Sequence, residues 1–225
     1  MGEAIGQSLP LAIGVALSPV PIIAVVLMLT TSRARANGPA FVLGWLLGLG
    51  VVGAVVLALA GPGEASESGQ PATWVSWVKL LLGVLLLLVA ARQFRGRPRE
   101  GEEAPLPKWM GAIERFKAGA ALGGGAALAG ANPKNLLLAI GGAAAIAQTG
   151  IAGGQQVIAY AVFAVIGTLG VAAPVVIYFA MGRRSAEVLG RLKDWMGHNN
   201  AVIMAVLCLV IGMKLIGDGI SGLTG

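Results

Sequence analysis

Six long apolar runs, separated by short polar segments, follow one another along the chain. Each run approaches or exceeds the roughly 18 to 20 residues that an α-helix needs to cross a bilayer. The pattern therefore predicts an all-α membrane protein with six transmembrane helices. The runs are approximately Leu9–Leu29, Ala40–Leu59, Trp74–Ala91, Gly119–Ile146, Val157–Met181 and Ala201–Gly217.

The composition agrees with this pattern. Hydrophobic residues make up 56% of the 225 residues and charged residues only 12%, against roughly 25% charged in soluble domains. The mean hydropathy is +0.83. These values exclude a soluble globular enzyme and a disordered tail. The single cysteine excludes an internal disulfide.

The basic residues outside the predicted spans all lie on one side of the membrane. Thirteen of the 16 Lys and Arg residues lie between spans 1 and 2, 3 and 4, or 5 and 6, and the other three lie within spans. Basic residues in short loops remain in the cytoplasm. We therefore predict a multi-pass protein of the cytoplasmic (plasma) membrane with both termini extracytoplasmic. The net charge of +6 then requires no nucleic acid partner.

The fourth run is too long for one straight helix. Its approximately 28 residues would extend roughly 42 Å, against a hydrocarbon core of about 30 Å. The charges of the flanking loops require the run to cross the membrane once. A break is predicted at Asn132-Pro133-Lys134-Asn135, because proline lacks an N–H and its ring clashes with the carbonyl four residues earlier.

The first run contains a similar interruption at Ser18-Pro19-Val20-Pro21. Aligning Pro19 with Pro133 matches a small polar residue, a proline and an apolar continuation, and a glycine-rich span follows each. Because each half has three spans, the second half enters the membrane from the opposite side, as in inverted-repeat transporters. We predict two inverted three-helix repeats with helices 1 and 4 broken at proline. In the alternative, the prolines only kink these helices.

This repeat divides the chain into three parts. Residues 1–92 form the first three-helix repeat, residues 93–117 a cytoplasmic linker, and residues 118–225 the second repeat. Aromatic and basic residues from Leu106 to Lys117 have helical spacing. They are compatible with an interfacial helix beside anionic headgroups and equally with a solvated linker.

The two breaks predict a binding site. Facing each other in the membrane, they would place half-helix ends around a shared cavity, and helix N-termini attract anionic groups. A lysine deep in a span usually faces a cavity and marks function, although the Lys134 side chain could instead snorkel to the surface. Lys79 and Lys214, nearer the outer ends, are predicted to snorkel. The predicted substrate-binding residues are Ser18, Pro19, Pro21, Asn132, Pro133, Lys134 and Asn135.

No Asp or Glu lies in a predicted span, whereas transporters of metal cations and protons commonly use buried carboxylates. The sequence thus favours an anionic, zwitterionic or largely apolar substrate, with no metal and no cofactor. The spans contain no nucleophile–base pair, so we predict that the protein is not an enzyme. The only histidine, His198, is predicted to lie in a turn before the last span.

Two segments resemble the signatures of a known family. Ser18 to Leu29, continuing through Arg33–Pro39 to Gly44-Trp45, resembles the first-repeat signature of the GAP family, and Asn132–Leu136 resembles its second. These are actinobacterial peptidoglycolipid- or sulfolipid-addressing proteins of the lysine exporter superfamily. The resemblance implies six spans in two inverted repeats and export of cell-envelope glycolipids or other small molecules.

Together, the residues and the resemblance favour a secondary transporter that exports an envelope lipid or a small amphiphilic or anionic molecule by alternating access. The alternative is a non-transporting scaffold that binds envelope-lipid synthesis or export machinery through its cytoplasmic loops. The expected partners are the substrate, membrane lipids and, for the scaffold, that machinery. Gly44-x-x-x-Gly48 is compatible with a homodimer and equally with packing within one chain.

Overall fold

The structure, a computed structural model, describes residues 1–60, 73–96 and 108–224. Within these ranges the chain is all-helical, with no strand. The outer loop 61–72 and residues 97–107 of the predicted 93–117 linker lie outside the described residues. The helices are α1 (Gly2–Ala16), α2 (Pro19–Leu29), α3 (Ala34–Ala60), α4 (Thr73–Arg95), α5 (Ala118–Gly130), α6 (Pro133–Ala147), α7 (Gly153–Met181) and α8 (Ser185–Thr224), with 3₁₀ helices at Lys108–Arg115 and Gly182–Arg184.

Both predicted helix breaks are present. The first run is divided into α1 and α2, which meet at 49°. The fourth run is divided into α5 and α6, where the backbone N–H of Lys134 donates to Asn132 Oδ1 at 3.1 Å and so caps α6. Pro19 and Pro133 are the first residues of α2 and α6. At that position the missing N–H of proline removes no intrahelical bond.

Four helices, α3, α4, α7 and α8, are each long and apolar enough to cross a membrane, and the bent α1–α2 pair is a fifth candidate span. Their outer faces carry large exposed apolar side chains such as Val51, Leu59 and Val165, as lipid contact requires. The chain is thus a multi-pass helical membrane protein. Helices α5 and α6, with 13 and 15 residues, are each shorter than a membrane span, so the sixth crossing stays a prediction.

Helix α8 is longer than predicted. It has 40 residues and starts at Ser185 instead of near Ala201. The predicted turn at His198 is wrong, because this residue lies inside the helix. The polar stretch contains no proline, and Glu187 and Arg191 pair at 3.2 Å across one helical turn. Such pairs stabilise a helix without an apolar face.

The basic residues beside α3 and α5 lie at one end of the bundle, which we call the basic end. Arg33 lies just before α3 and Lys117 just before α5, and Asn37 Nδ2 donates to the Phe116 carbonyl at 3.0 Å between these two helix starts. The 3₁₀ helix 108–115 lies here too. Its Ile113 is buried against the bundle, so this residue does not face headgroups. We call the opposite end the neutral end.

Helix contacts correspond between the two halves of the chain. Helix α3 packs on α5, and α1 packs on α7. Helix α2 contacts α7 and α8, while α6 contacts α3 and α4. Helix α4 packs on α8, and α3 crosses α7. Exchanging α1–α4 with α5–α8 in order turns the α3–α5 contact into α7–α1, and the two α2 contacts into the two α6 contacts. The α4–α8 and α3–α7 contacts map onto themselves.

Candidate functional site

The two helix breaks meet at Lys134. Its side chain is only 3% exposed, and its Nζ donates to the Gly14 carbonyl and to Ser18 Oγ, both at 2.6 Å. Gly14 belongs to the last turn of α1, where carbonyls lose their intrahelical donors. The ammonium supplies a donor that the broken helix lacks. Lys134 therefore points into the protein, and the snorkelling alternative is wrong.

A chain of hydrogen bonds continues from Lys134 to the other half-helices. Ser18 Oγ donates to Asn135 Oδ1 at 2.6 Å, and Asn135 Nδ2 donates to the Leu128 carbonyl at 3.0 Å. Gly14 lies in α1, Ser18 caps α2, Leu128 lies in α5, and both Lys134 and Asn135 lie in α6. We call these five residues the break network. It connects all four half-helices, although the members in the first break are over 100 residues away in sequence from those in the second.

The structure brings some of the predicted site residues together and separates others. Ser18, Lys134 and Asn135 form the buried centre, and Pro19 and Pro21 are buried in the first turn of α2. Asn132 is half-buried and serves as the cap of α6, while the Pro133 ring is exposed. Within the site the proline rings can only shape the backbone, because they have no donor and no charge.

The two carbonyls of the network and the neighbour of Lys134 in α8 were not among the predicted site residues. The role of Gly14 could have been read from the sequence, because in an unbroken helix its carbonyl would accept from the N–H of Ser18, four residues later, and the break removes this bond. No feature of the sequence marks Leu128. The neighbour in α8 is Cys208, which is buried and lies close enough to Lys134 for electrostatic interaction.

Negative charge is absent around Lys134 in the part of the chain that the structure describes. The ion pairs recorded there are Glu187–Arg191, Lys193–Asp194 and Lys214–Asp218, and none of them involves the break. The same residues include no group of three His, Cys, Asp or Glu side chains that could hold a metal ion. The ammonium is thus satisfied by neutral oxygens only.

A second polar cluster lies at the neutral end. Lys79 Nζ donates to Gln148 Oε1, joining α4 to the C-terminal cap of α6, and Gln148 Nε2 lies 3.4 Å from Ser76 Oγ. Lys79 is 3% exposed, so its predicted snorkelling is wrong. Lys214 instead pairs with Asp218 at 2.5 Å, one turn further along α8.

The half-helices are packed at one end of the bundle and parted at the other. Helix α1 packs on α6 towards the neutral end, whereas α2 and α5 have no comparable interface. An apolar pocket of about 170 Å³, which we call the α2–α5 pocket, lies there and opens to the surface. It is lined by Met28, Phe41, Phe116, Gly124, Ala127 and Leu128. The Leu128 carbonyl connects the pocket to the break network.

Replacing Ser18 by alanine is expected to lower stability. The substitution leaves Asn135 Oδ1 without its donor and removes one of the two acceptors of Lys134. Each buried group left unpaired costs about 1–3 kcal/mol. Thermal unfolding in detergent should show a lower midpoint than for Ser32→Ala, which alters an exposed serine. Equal midpoints would show that the network contributes nothing to folding.

Comparison with known protein families identifies a match over most of the chain. The model of a family described as Sap, sulfolipid-1-addressing protein, matches residues 9–221. Comparisons with curated proteins and with solved structures give no match. The matched range includes both helix breaks and the whole break network, and it agrees with the family resemblance predicted from the two proline motifs. The chain therefore belongs to the sulfolipid-1-addressing protein family.

Proposed function

We propose that this protein is a secondary transporter that exports an anionic amphiphile, of the sulfolipid class named in its family description, by alternating access. The observation that carries the proposal is the buried Lys134 ammonium at the meeting point of two broken helices, without a carboxylate partner among the described residues. A lysine at such a depth costs about 2.5–3.5 kcal/mol on insertion scales. A role in binding explains why this cost is tolerated.

The electrostatics of the break suit an anionic headgroup. Helices α2 and α6 both begin there, at Pro19 and Pro133, and helix N-termini carry partial positive charge. Lys134 now donates to a backbone carbonyl and a hydroxyl. A sulfate oxygen would form a stronger, charge-assisted bond with the same ammonium. An anionic substrate can therefore displace one of the present acceptors.

The transport cycle requires two related halves. In the proposal, α5 and α6 together make the sixth crossing, the halves are inverted three-helix repeats, and both termini face outwards. The correspondence of helix contacts on exchange of the halves supports this arrangement. The concentration of basic residues at one end supports the orientation.

The unequal half-helix contacts correspond to one state of the cycle. With α1 packed on α6 and α2 parted from α5, the break is closed towards the neutral end and approachable from the basic end. The opposite state would pack α2 on α5 and separate α1 from α6. Contacts that map onto themselves, such as α4 with α8, need not change between the two states.

The direct test is movement of a defined anionic lipid between leaflets. Purified protein is reconstituted into phosphatidylcholine vesicles that contain a fluorescent sulfatide, and the outer-leaflet probe is quenched with dithionite. Protein-containing vesicles are expected to lose protection of the inner-leaflet probe, while a neutral fluorescent galactosylceramide crosses more slowly. Flux no faster than in protein-free vesicles would contradict transport and favour the scaffold.

A disulfide across α1 and α6 is expected to stop this flux reversibly. A Cβ on Gly141 would lie 2.7 Å from Leu11 Cδ2, so Leu11→Cys with Gly141→Cys places two thiols together in a Cys208→Ser background. Oxidation should hold the neutral end closed, and reduction should restore flux. The matched control, Leu87→Cys with Gly212→Cys, joins α4 to α8. There a Cβ added at Gly212 would lie 3.2 Å from Leu87 Cγ. Unchanged flux in the oxidised α1–α6 pair would exclude alternating access at this contact.

A further inference from the structure

The α2–α5 pocket has the chemistry of a lipid chain site. All six residues that line it are apolar or glycine, and it opens to the surface beside the exposed Ala127. We propose that this pocket binds one acyl chain of an anionic membrane lipid. The inference rests on the proposed function for the class of ligand, but it concerns a different set of residues from the break network.

The position of basic residues fits an anionic lipid in this pocket. Arg115 and Lys117 are exposed on either side of Phe116, which lines the pocket at the start of α5. From Lys117 to Leu128, α5 rises about 16 Å. A headgroup at the basic residues therefore places its chain along α5, with the chain end near the Leu128 turn and the break network.

The test uses a photoactivatable lipid and a variant that fills the pocket. Full-length protein is placed in phosphatidylcholine vesicles that contain phosphatidylglycerol with a diazirine in one acyl chain. After irradiation, labelled peptides are located by mass spectrometry. Label is expected on the segments containing Phe41, Phe116 and Gly124, and more with phosphatidylglycerol than with phosphatidylcholine carrying the same photoreactive chain.

Gly124→Trp is expected to reduce this label at least about tenfold, the factor that corresponds to excluding roughly two buried methylenes. A Cβ at Gly124 would meet only Phe116, at 3.7 Å, so the substitution enters the pocket without striking backbone. Gly123→Trp is the matched control, because Gly123 is exposed and has nothing within 4 Å of an added Cβ. If Gly124→Trp does not fold, Ala127→Phe fills the pocket from its rim.

Label spread evenly over the lipid-facing surfaces, unchanged in Gly124→Trp, would overturn the pocket proposal. Equal labelling by phosphatidylglycerol and phosphatidylcholine would overturn the proposed preference for an anionic lipid. These failures are distinguishable from failure of the transport proposal. Lys134→Met should lose flux and keep the pocket label, whereas a pocket label in a protein that never moves lipid would leave the pocket standing and remove the transporter.

Discussion

Replacing Lys134 by methionine is expected to reduce sulfatide flux at least about 100-fold, to the level of protein-free vesicles. The ammonium is the only charged group of the break network. Hydrogen bonds to charged groups contribute about 1.5–3 kcal/mol each, and each 1.4 kcal/mol is a factor of ten. Losing two such bonds to an anionic headgroup accounts for the expected decrease. The measurement is the dithionite assay with equal amounts of reconstituted protein.

The same variant is expected to keep its fold. Methionine has an unbranched side chain that occupies a similar space, and it removes the cost of placing a charge in the membrane. This gain offsets the unpaired Gly14 carbonyl and Ser18 hydroxyl, so the thermal midpoint in detergent should change little. Lys214→Met is the control, because that lysine lies outside the network and pairs with Asp218. Undiminished flux in Lys134→Met would exclude the break network as the substrate site.

Replacing Gly170 by alanine is expected to destabilise the protein by about 3 kcal/mol or more, at the upper end of overpacking effects. A Cβ at this position would lie 1.8 Å from the Ala16 carbonyl oxygen. The obstacle is backbone, so no side-chain rotation relieves it, and α7 must move away from α1. Because Ala16 directly precedes the first break, flux should be lost together with stability.

The control is Gly154→Ala in the same helix, where an added Cβ has nothing within 4 Å. Thermal unfolding and size-exclusion chromatography in detergent measure both variants. Gly44→Ala should destabilise the protein to a similar extent, since its Cβ would lie 1.9 Å from the Leu122 carbonyl oxygen of α5. The α3–α5 interface in which Gly44 lies is the counterpart of the α7–α1 interface in which Gly170 lies. A stable, active Gly170→Ala protein would mean that this close packing can relax.

Features that depend on local backbone chemistry were predictable from the sequence. Both breaks lie where expected, because the rings of Pro19 and Pro133 restrict the backbone in the same way whatever the tertiary contacts are. The burial of Lys134 was one of two alternatives, and only its distant partners Gly14 and Ser18 decide between them. The match with the family model confirms the resemblance carried by the same two motifs; membership of the lysine exporter superfamily remains a prediction.

Features that depend on tertiary contacts were not predictable. Lys79 is close to a span end, which favours snorkelling, but Gln148 from α6 offers a buried acceptor that the local sequence does not reveal. The start of α8 was misplaced because the prediction began the helix where the apolar run begins, near Ala201. The polar stretch before Ala201 is not apolar, but it is still helical. The α2–α5 pocket arises because α2 and α5 lack the interface that the corresponding pair, α6 and α1, has, and sequence similarity between the halves hides such a difference.

The length of α8 has a mechanical consequence. Its 40 residues extend about 60 Å, twice the thickness of the hydrocarbon core, so a large part of this helix stands in water. Helix α8 also contacts α2, the half-helix that begins at the break. In the proposed cycle, a tilt of this continuous, proline-free helix at its contact with α2 would be carried along its length to the end that starts at Ser185. Helix α8 would then be the lever that couples the break to the aqueous phase at the basic end.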